Sequence, residues 1–179
     1  MIILLNGTSS SGKTTLAKAL QRALPTPYLH IGIDTVVFAL PPQYLDPPRW
    51  HEVFEYRGSG DDLRITAGPL GHRLVRTLHR MVATASDTGW DVIVDHVLLD
   101  PSWAEDAVHT LGRHPLLAVG VRCPLDEVVR RERARSDRTL GQARAQFDAV
   151  HAHLRYDLEV DTSRQDPAAC AAKIIDALA

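Results

Sequence analysis

Short apolar runs alternate with longer amphipathic stretches along the chain. Between the runs, apolar residues recur at intervals of three and four, as at Leu70, Leu74 and Leu78, which predicts helices. A final helix is predicted over 167–178, behind the N-cap residue Asp166. Continuously apolar strands that alternate with helices predict an α/β fold with a parallel sheet covered by helices on both faces. The runs with the length and composition of buried strands are 2–5, 28–33, 90–94, 116–121 and 158–161.

One segment, residues 40–68, interrupts this alternation. It contains several prolines, the aromatic residues Trp50, Phe54 and Tyr56, and a polar turn over 58–62. A long irregular insertion in a compact domain is usually either functional or disordered, and aromatic residues argue against disorder. We therefore predict that 40–68 binds the second substrate. A surface excursion without a role is the alternative.

The first predicted strand runs directly into a glycine-rich loop over 7–14 that fits the pattern G-x-x-x-x-G-K-[ST]. The backbone N–H groups of such a loop, together with the positive end of the following helix, bind phosphate oxygens. In this pattern the Lys13 side chain reaches the β- and γ-phosphates, and the Thr14 hydroxyl holds Mg²⁺. The loop predicts a nucleoside triphosphate site formed by Gly7, Thr8, Ser9, Ser10, Ser11, Gly12, Lys13, Thr14 and Thr15.

Two acidic residues follow two of the predicted strands. Ligands of open parallel sheets bind at the carboxyl ends of the strands, so Asp34 and Asp95 are expected near the phosphate loop. Asp34 is predicted to be the catalytic base, with an N-cap role for the next helix as the alternative. Asp95 is predicted to orient Mg²⁺ with Thr14, or else to contact the acceptor. His96, beside it, is either structural or a proton carrier.

Five arginines lie within residues 130–138. Arg131, Arg135 and Arg138 are spaced four and three apart, which predicts that they share one helical face. Guanidinium groups bind phosphates in a bidentate manner, so we predict a mobile lid over about 130–145 in which Arg135 and Arg138 act in catalysis. The alternative is a solvated face on which Glu127 pairs with Arg131.

Composition excludes few classes of protein. The 179 residues are 45% apolar and 23% charged, which is typical of one globular domain over 1–179. A net charge of −2 gives no reason to expect nucleic acid or a membrane surface as a partner. No stretch approaches the ~20 apolar residues of a membrane span, and the two cysteines have no paired spacing, so a cytoplasmic protein is expected. Oligomeric state is not predicted.

Taken in order, these blocks resemble the chloramphenicol phosphotransferase family. The resemblance implies a P-loop NTPase, nucleotide-kinase-like fold and an ATP-dependent kinase that transfers the γ-phosphate to a hydroxyl of a small antibiotic such as chloramphenicol. It implies that Asp34 is the base and that Arg135 and Arg138 are the lid arginines. The chain departs from the family at His96, where the family can carry an acid, and over 40–68. The matching blocks are 5–14, 32–35, 93–95, 119–123, 135–138 and 156–162.

The residues themselves leave two other functions possible. A metabolic or toxin-type kinase would act on a sugar acid, a nucleoside or a nucleotide sugar, and a nucleotide acceptor would need additional cations. A regulatory nucleotide switch is disfavoured, because the chain has no Asn-Lys-x-Asp run and an arginine lid would be superfluous in a sensor. The cations available to a nucleotide acceptor are Arg49, Arg57, Arg64 and Arg73.

Overall fold

The computed structural model describes residues 1–135 and 139–178. Within these residues, the strands in chain order are β1 (Ile2–Asn6), β2 (Tyr28–Gly32), β3 (Phe54–Arg57), β4 (Arg64–Ala67), β5 (Asp91–His96), β6 (Leu116–Arg122) and β7 (Leu158–Asp161). The helices are α1 (Lys13–Ala23), α2 (Ile33–Val37), α3 (Pro69–Asp87), α4 (Pro101–Leu111), α5 (Leu125–Arg133), α6 (Gln142–Phe147) and α7 (Pro167–Asp176). Of these helices, none is long and apolar enough to cross a membrane.

The main sheet has five parallel strands in the order β2–β5–β1–β6–β7. Alternate side chains of the central strand β1 enter two separate cores, because successive residues of a strand point to opposite faces. Ile3 and Leu5 pack with α1 and α7. Ile2 and Leu4 pack with α3 and α4 on the other face. This confirms the predicted parallel sheet with helices on both faces.

The insertion over 40–68 is more regular than the sequence indicates. β3 and β4 pair as an antiparallel hairpin, flanked by short 3₁₀ turns at Pro42–Tyr44, Trp50–Glu52 and Gly60–Asp62. Val53, just before β3, and Leu63, just before β4, are buried. Strands of four residues carry too little alternation to be recognised by periodicity, so the sequence predicts only an irregular segment here.

Gly71 allows helix α3 to lie against this insertion. A Cβ atom at position 71 would lie 2.1 Å from the carbonyl oxygen of Val53, far inside van der Waals contact. The same carbonyl accepts a hydrogen bond from the N–H of Gly68 at 2.9 Å, so it cannot easily move away. The insertion is therefore held in place by a backbone contact that only glycine permits.

We predict that Gly71→Ala destabilises the protein, although alanine favours a helix interior over glycine by about 1 kcal/mol. Overpacking against the Val53 carbonyl is expected to lower the free energy of unfolding by about 1–3 kcal/mol, measured by urea denaturation. Arg76→Ala, on the exposed face of the same helix, is the control and should change it by less than about 0.5 kcal/mol. A Gly71→Ala variant as stable as the original protein would contradict the argument.

Candidate active site

The loop between β1 and α1 forms one end of a cavity of about 590 Å³. Within this loop, the backbone of Ser10 is in the left-handed region, with a φ of 62°. The hydroxyls of Ser9, Ser10 and Ser11 are buried and have no hydrogen-bond partner within the described part of the chain. Buried polar groups without partners cost free energy, so the loop is suited to a polar ligand that supplies acceptors, such as a phosphate group.

The Lys13 ammonium is held over this loop. Its Nζ donates hydrogen bonds to the carbonyl oxygens of Gly7 at 2.8 Å and Thr8 at 2.7 Å. It also lies 3.8 Å from Oδ1 of Asp95, and the Lys13 residue is only 6% exposed. The positive charge therefore already stands where a phosphate in the loop would need it.

Thr14 and Asp95 meet at the edge of the sheet, as their positions in the sequence predict. The Thr14 hydroxyl donates to Oδ2 of Asp95 at 2.7 Å. Burial raises the pKa of Asp95, but the Lys13 charge, with hydrogen-bonding neighbours, more than offsets this, so the pKa lies below its ordinary value. The carboxylate is ionised at neutral pH. A hydroxyl and an ionised carboxylate side by side are the hard oxygen donors that could hold Mg²⁺.

Asp34 lines the same cavity as Thr14 and Asp95. It is the second residue of α2 rather than the end of β2, and Gly32 occupies the N-cap position, so the alternative role of Asp34 as an N-cap is wrong. Gly32 is opposite Asp95 in the register of β2 and β5. The exposed Asp34 side chain therefore comes to the same edge of the sheet and lines the same cavity as Lys13.

Arg131 and Arg135, which the sequence predicts on one helical face, do not share one. Helix α5 ends at Arg133, so Arg135 follows the helix, and that part of the prediction is wrong. Arg135 nevertheless lines the cavity. Arg138 lies outside the described residues. Whether these two arginines act in catalysis stays a prediction.

Arg130 and Arg131 have a different role from Arg135. Both donate to the Glu127 carboxylate at 2.7 Å, and these hydrogen bonds lower the pKa of Glu127 to about 2. Arg131 also donates to the carbonyl oxygen of Thr162 at 2.9 Å. This part of the cluster therefore braces α5 against the segment after β7, and the alternative Glu127–Arg131 pair is present.

The cavity is also lined by a group of contacting aromatic rings, here called the aromatic wall, formed by Trp50, Phe54, Tyr56 and Trp103. Neighbouring rings meet edge to face, with centroids 5.4 Å apart for Trp50 and Phe54 and 6.4 Å apart for Phe54 and Trp103. The indole N–H of Trp103 donates to Nδ1 of His72 at 2.9 Å, so this buried ring has its polar group satisfied. Three members of the wall come from the insertion, which the sequence predicts to bind the second substrate.

The cations of the insertion do not reach the cavity. Arg49 pairs with Glu52 at 2.7 Å and lies over the ring of Tyr44, while Arg57 pairs with Glu55. Among the described residues that line the cavity, the lysine and arginine side chains are those of Lys13 and Arg135. Positive charge is therefore confined to the phosphate loop and the segment after α5.

A family model described as chloramphenicol phosphotransferase-like protein matches the chain over residues 1–179. The chain belongs to this family. A relative from Mycobacterium tuberculosis (strain H37Rv), whose name provisionally describes an O-phosphotransferase, is 37% identical over 169 residues, which cover 90% of this chain and 75% of the relative.

Solved structures of kinases share the fold. A sugar kinase from Janibacter sp. HTCC2649 superposes with a TM-score of 0.70 at 17% identity, over 99% of this chain and 93% of that one. The APS kinase CysC of Mycobacterium tuberculosis, in complex with AMPPNP and APS, gives a TM-score of 0.68 at 17% identity, over 99% and 96%. Together with the family membership, these likenesses identify an ATP-dependent kinase with a nucleotide-binding P-loop.

Behind the site of this chloramphenicol phosphotransferase-like kinase, two buried histidines form a chain that the sequence reveals only in part. Nδ1 of His96 accepts a hydrogen bond from the N–H of Val97 at 2.8 Å, so the His96 proton is on Nε2. Nε2 of His96 therefore donates to Nε2 of His79, with the two nitrogens 3.1 Å apart, and Nδ1 of His79 donates to Oδ2 of Asp106 at 2.6 Å. His96 is thus structural, and no local pattern marks His79 or Asp106 as its partners. The hydrogen-bonded histidines hold the start of the segment after β5, and Val97 and Leu99 of this segment line the cavity.

The two glutamines of α6 are further residues that the sequence does not predict. Gln142 and Gln146 both line the cavity. Amide side chains on a short helix match no motif, and their partners lie more than eighty positions away in the chain.

We predict that His96 makes stability depend on pH. Burial, together with its histidine neighbour, lowers the pKa of folded His96 to about 3, whereas an unfolded histidine titrates near 6.5. The unfolded chain therefore takes up a proton that the folded chain refuses. The contribution of neutral His96 to the free energy of unfolding is therefore fully present above pH 6.5. It is lost as the pH falls below 6.5, by about 1.4 kcal/mol per pH unit.

His96→Asn keeps an acceptor for the Val97 N–H but does not titrate. Its free energy of unfolding, measured by urea denaturation from pH 7 to pH 4, should fall less steeply than that of the original protein. The control is His153→Asn, at an exposed histidine, which should keep the original slope. Equal slopes for His96→Asn and the original protein would show that His96 is not held neutral.

Proposed function

We propose that this kinase transfers the γ-phosphate of ATP to a hydroxyl of a small, uncharged, aromatic acceptor of the chloramphenicol kind. The distribution of charge in the cavity carries this proposal. Its described lysine and arginine side chains belong to the phosphate loop and the segment after α5, whereas the insertion and α4 contribute the aromatic wall. An apolar acceptor is stabilised by such a wall, and its hydroxyl would face the phosphate loop.

The loop would hold the triphosphate with its backbone N–H groups and with the buried hydroxyls of Ser9, Ser10 and Ser11. Lys13 would donate to phosphate oxygens in place of the loop carbonyls. Mg²⁺ would be held by Thr14 and Asp95, and when bound it would neutralise charge on the phosphate oxygens.

Asp34 would accept the proton of the acceptor hydroxyl while the hydroxyl oxygen forms its bond to the γ-phosphorus and the bond to the ADP oxygen breaks. Its carboxylate is exposed in the cavity and lies at the same edge of the sheet as Asp95, so an acceptor on the aromatic wall can lie between Asp34 and the loop. Arg135 would donate to the transferring group and balance its charge.

Anionic acceptors fit this cavity poorly. A sugar acid or a nucleotide sugar would place a carboxylate or phosphate against the aromatic wall, where burial of an unpaired charge is costly. Two arginines of the insertion that could have served it are paired within the insertion, Arg49 with Glu52 and Arg57 with Glu55. An uncharged nucleoside could stack on the same rings and is the second candidate.

The test is a coupled assay of ADP release with Mg²⁺ and ATP, in the presence of chloramphenicol, uridine, gluconate or UDP-glucose in turn. The expected result is release that depends on chloramphenicol, with a product heavier by one phosphate group in mass spectrometry. ADP release with uridine and with none of the other three compounds would favour the second candidate, an uncharged nucleoside as the acceptor. Release that depends on gluconate or UDP-glucose would overturn the assignment of an uncharged acceptor.

The proposed base gives a sharper prediction. Asp34→Asn is nearly isosteric and should lower kcat by about 10²–10⁴-fold, the usual contribution of a general base, while nucleotide affinity stays unchanged. Turnover is measured by ADP release and nucleotide affinity by calorimetry. Asp176→Asn, at the exposed end of α7, is the matched control and should keep full turnover. Little loss of turnover in Asp34→Asn would show that another group takes the proton.

A further inference from the structure

Helix α6 contacts the phosphate loop through a buried amide. Gln146 is only 4% exposed, and its side-chain Oε1 accepts a hydrogen bond from the backbone N–H of Ser9 at 2.7 Å. This N–H lies within the phosphate loop, beside Ser10, whose backbone is in the left-handed region. On the other side of the loop, the Thr162 hydroxyl donates to the carbonyl oxygen of Ser11 at 2.7 Å. The three serines are thus held from both ends by side chains from distant parts of the chain.

The same helix contacts the insertion. Gln142 lies one turn before Gln146, so the two amides are on one face of α6. Nε2 of Gln142 donates to the hydroxyl of Tyr56 at 3.2 Å, and Tyr56 belongs to the aromatic wall. Gly141, just before the helix, packs so closely on the insertion that a Cβ there would lie 2.5 Å from the carbonyl oxygen of Gly60.

The start of α6 is itself fixed. The Glu132 carboxylate, in a residue only 1% exposed, accepts hydrogen bonds from the N–H groups of Gly141 at 2.8 Å and Ala143 at 2.7 Å. A buried carboxylate with two such donors holds a backbone segment firmly. The position of Gln146 therefore depends on α5, on the insertion and on α6 together.

We propose that Gln146 is a positioning residue of the phosphate loop, and that α6, through Gln142 and Tyr56, links the order of this loop to the placement of the aromatic wall. Gln146 holds the Ser9 N–H in the orientation that the loop needs, so less order has to be created when a nucleotide binds. The link to the acceptor rests on the proposed function. The bracing of the loop does not.

Two variants separate bracing from packing. Gln146→Leu keeps the volume but removes the acceptor, whereas Gln146→Glu keeps an oxygen for the Ser9 N–H. In the nucleotide-free protein, amide exchange at Ser9 followed by NMR should become about three- to tenfold faster in Gln146→Leu and stay slow in Gln146→Glu. Because this measurement needs no nucleotide or acceptor, it stays informative even if the proposed acceptor is wrong.

The second measurement is the affinity for the ATP analogue AMPPNP by calorimetry. Gln146→Leu should raise its Kd by about three- to tenfold, the effect of one lost hydrogen bond. Gln142→Leu should raise it less, and the double variant should match Gln146→Leu alone, since both changes act through the same helix. Gln43→Leu, the same change at an exposed position of the insertion, is the matched control and should leave the Kd unchanged.

Three results would overturn the proposal. Unchanged exchange at Ser9 in Gln146→Leu would show that the amide does not brace the loop. Tighter AMPPNP binding in Gln146→Leu would show that Gln146 competes with phosphate instead of preparing the loop for it. Strictly additive effects of Gln142→Leu and Gln146→Leu would break the link to the aromatic wall.

Discussion

The site depends on a balance of charge between Lys13 and Asp95. Both side chains are largely buried, and either charge alone would be costly there. Each is stabilised by the other and by neutral hydrogen-bonding neighbours, the loop carbonyls for Lys13 and the Thr14 hydroxyl for Asp95. The parallel pairing of β1 with β5 sets Leu5 opposite Asp95, so the sheet delivers the carboxylate to the loop. The folded loop is thus poised for phosphate before any phosphate arrives.

The parts of this arrangement that the sequence predicts are those with local causes. A strand, a glycine-rich loop and a helix follow one another within twenty-three residues, and each is marked by its own pattern. The meeting of Thr14 with Asp95 also follows from sequence, because all strands of a parallel sheet bring their carboxyl ends to one edge. Asp34 is placed there by the same rule, although α2 begins at Ile33, two residues earlier than an N-cap at Asp34 would indicate.

The parts that the sequence does not predict have distant causes. Spacing alone predicts one helical face from Arg131 to Arg138, but α5 ends at Arg133. Just before that end, Glu132 turns inward to hold the start of α6, a contact that spacing within one helix cannot reveal. Likewise, the partner of His96 lies 17 positions away and the partner of Gln146 lies 137 positions away. Such pairs are determined by packing of elements and not by periodicity.

The two walls of the cavity are supported by different elements of the fold, and this bears on the acceptor that we propose. Behind β5, a buried histidine chain that ends on Asp106 holds the start of the segment from which Val97 and Leu99 line the cavity. The aromatic wall is built mainly from an insertion whose contacts with the domain run through α3, α4 and α6. Under the proposed function, changes in residues 40–68 that spare the contacts with α6 can therefore alter the acceptor without disturbing the phosphate loop. Kinases of one fold can keep one way of holding phosphate while their acceptors diverge, because the phosphate loop and the aromatic wall lie on different elements, which are joined here through α6.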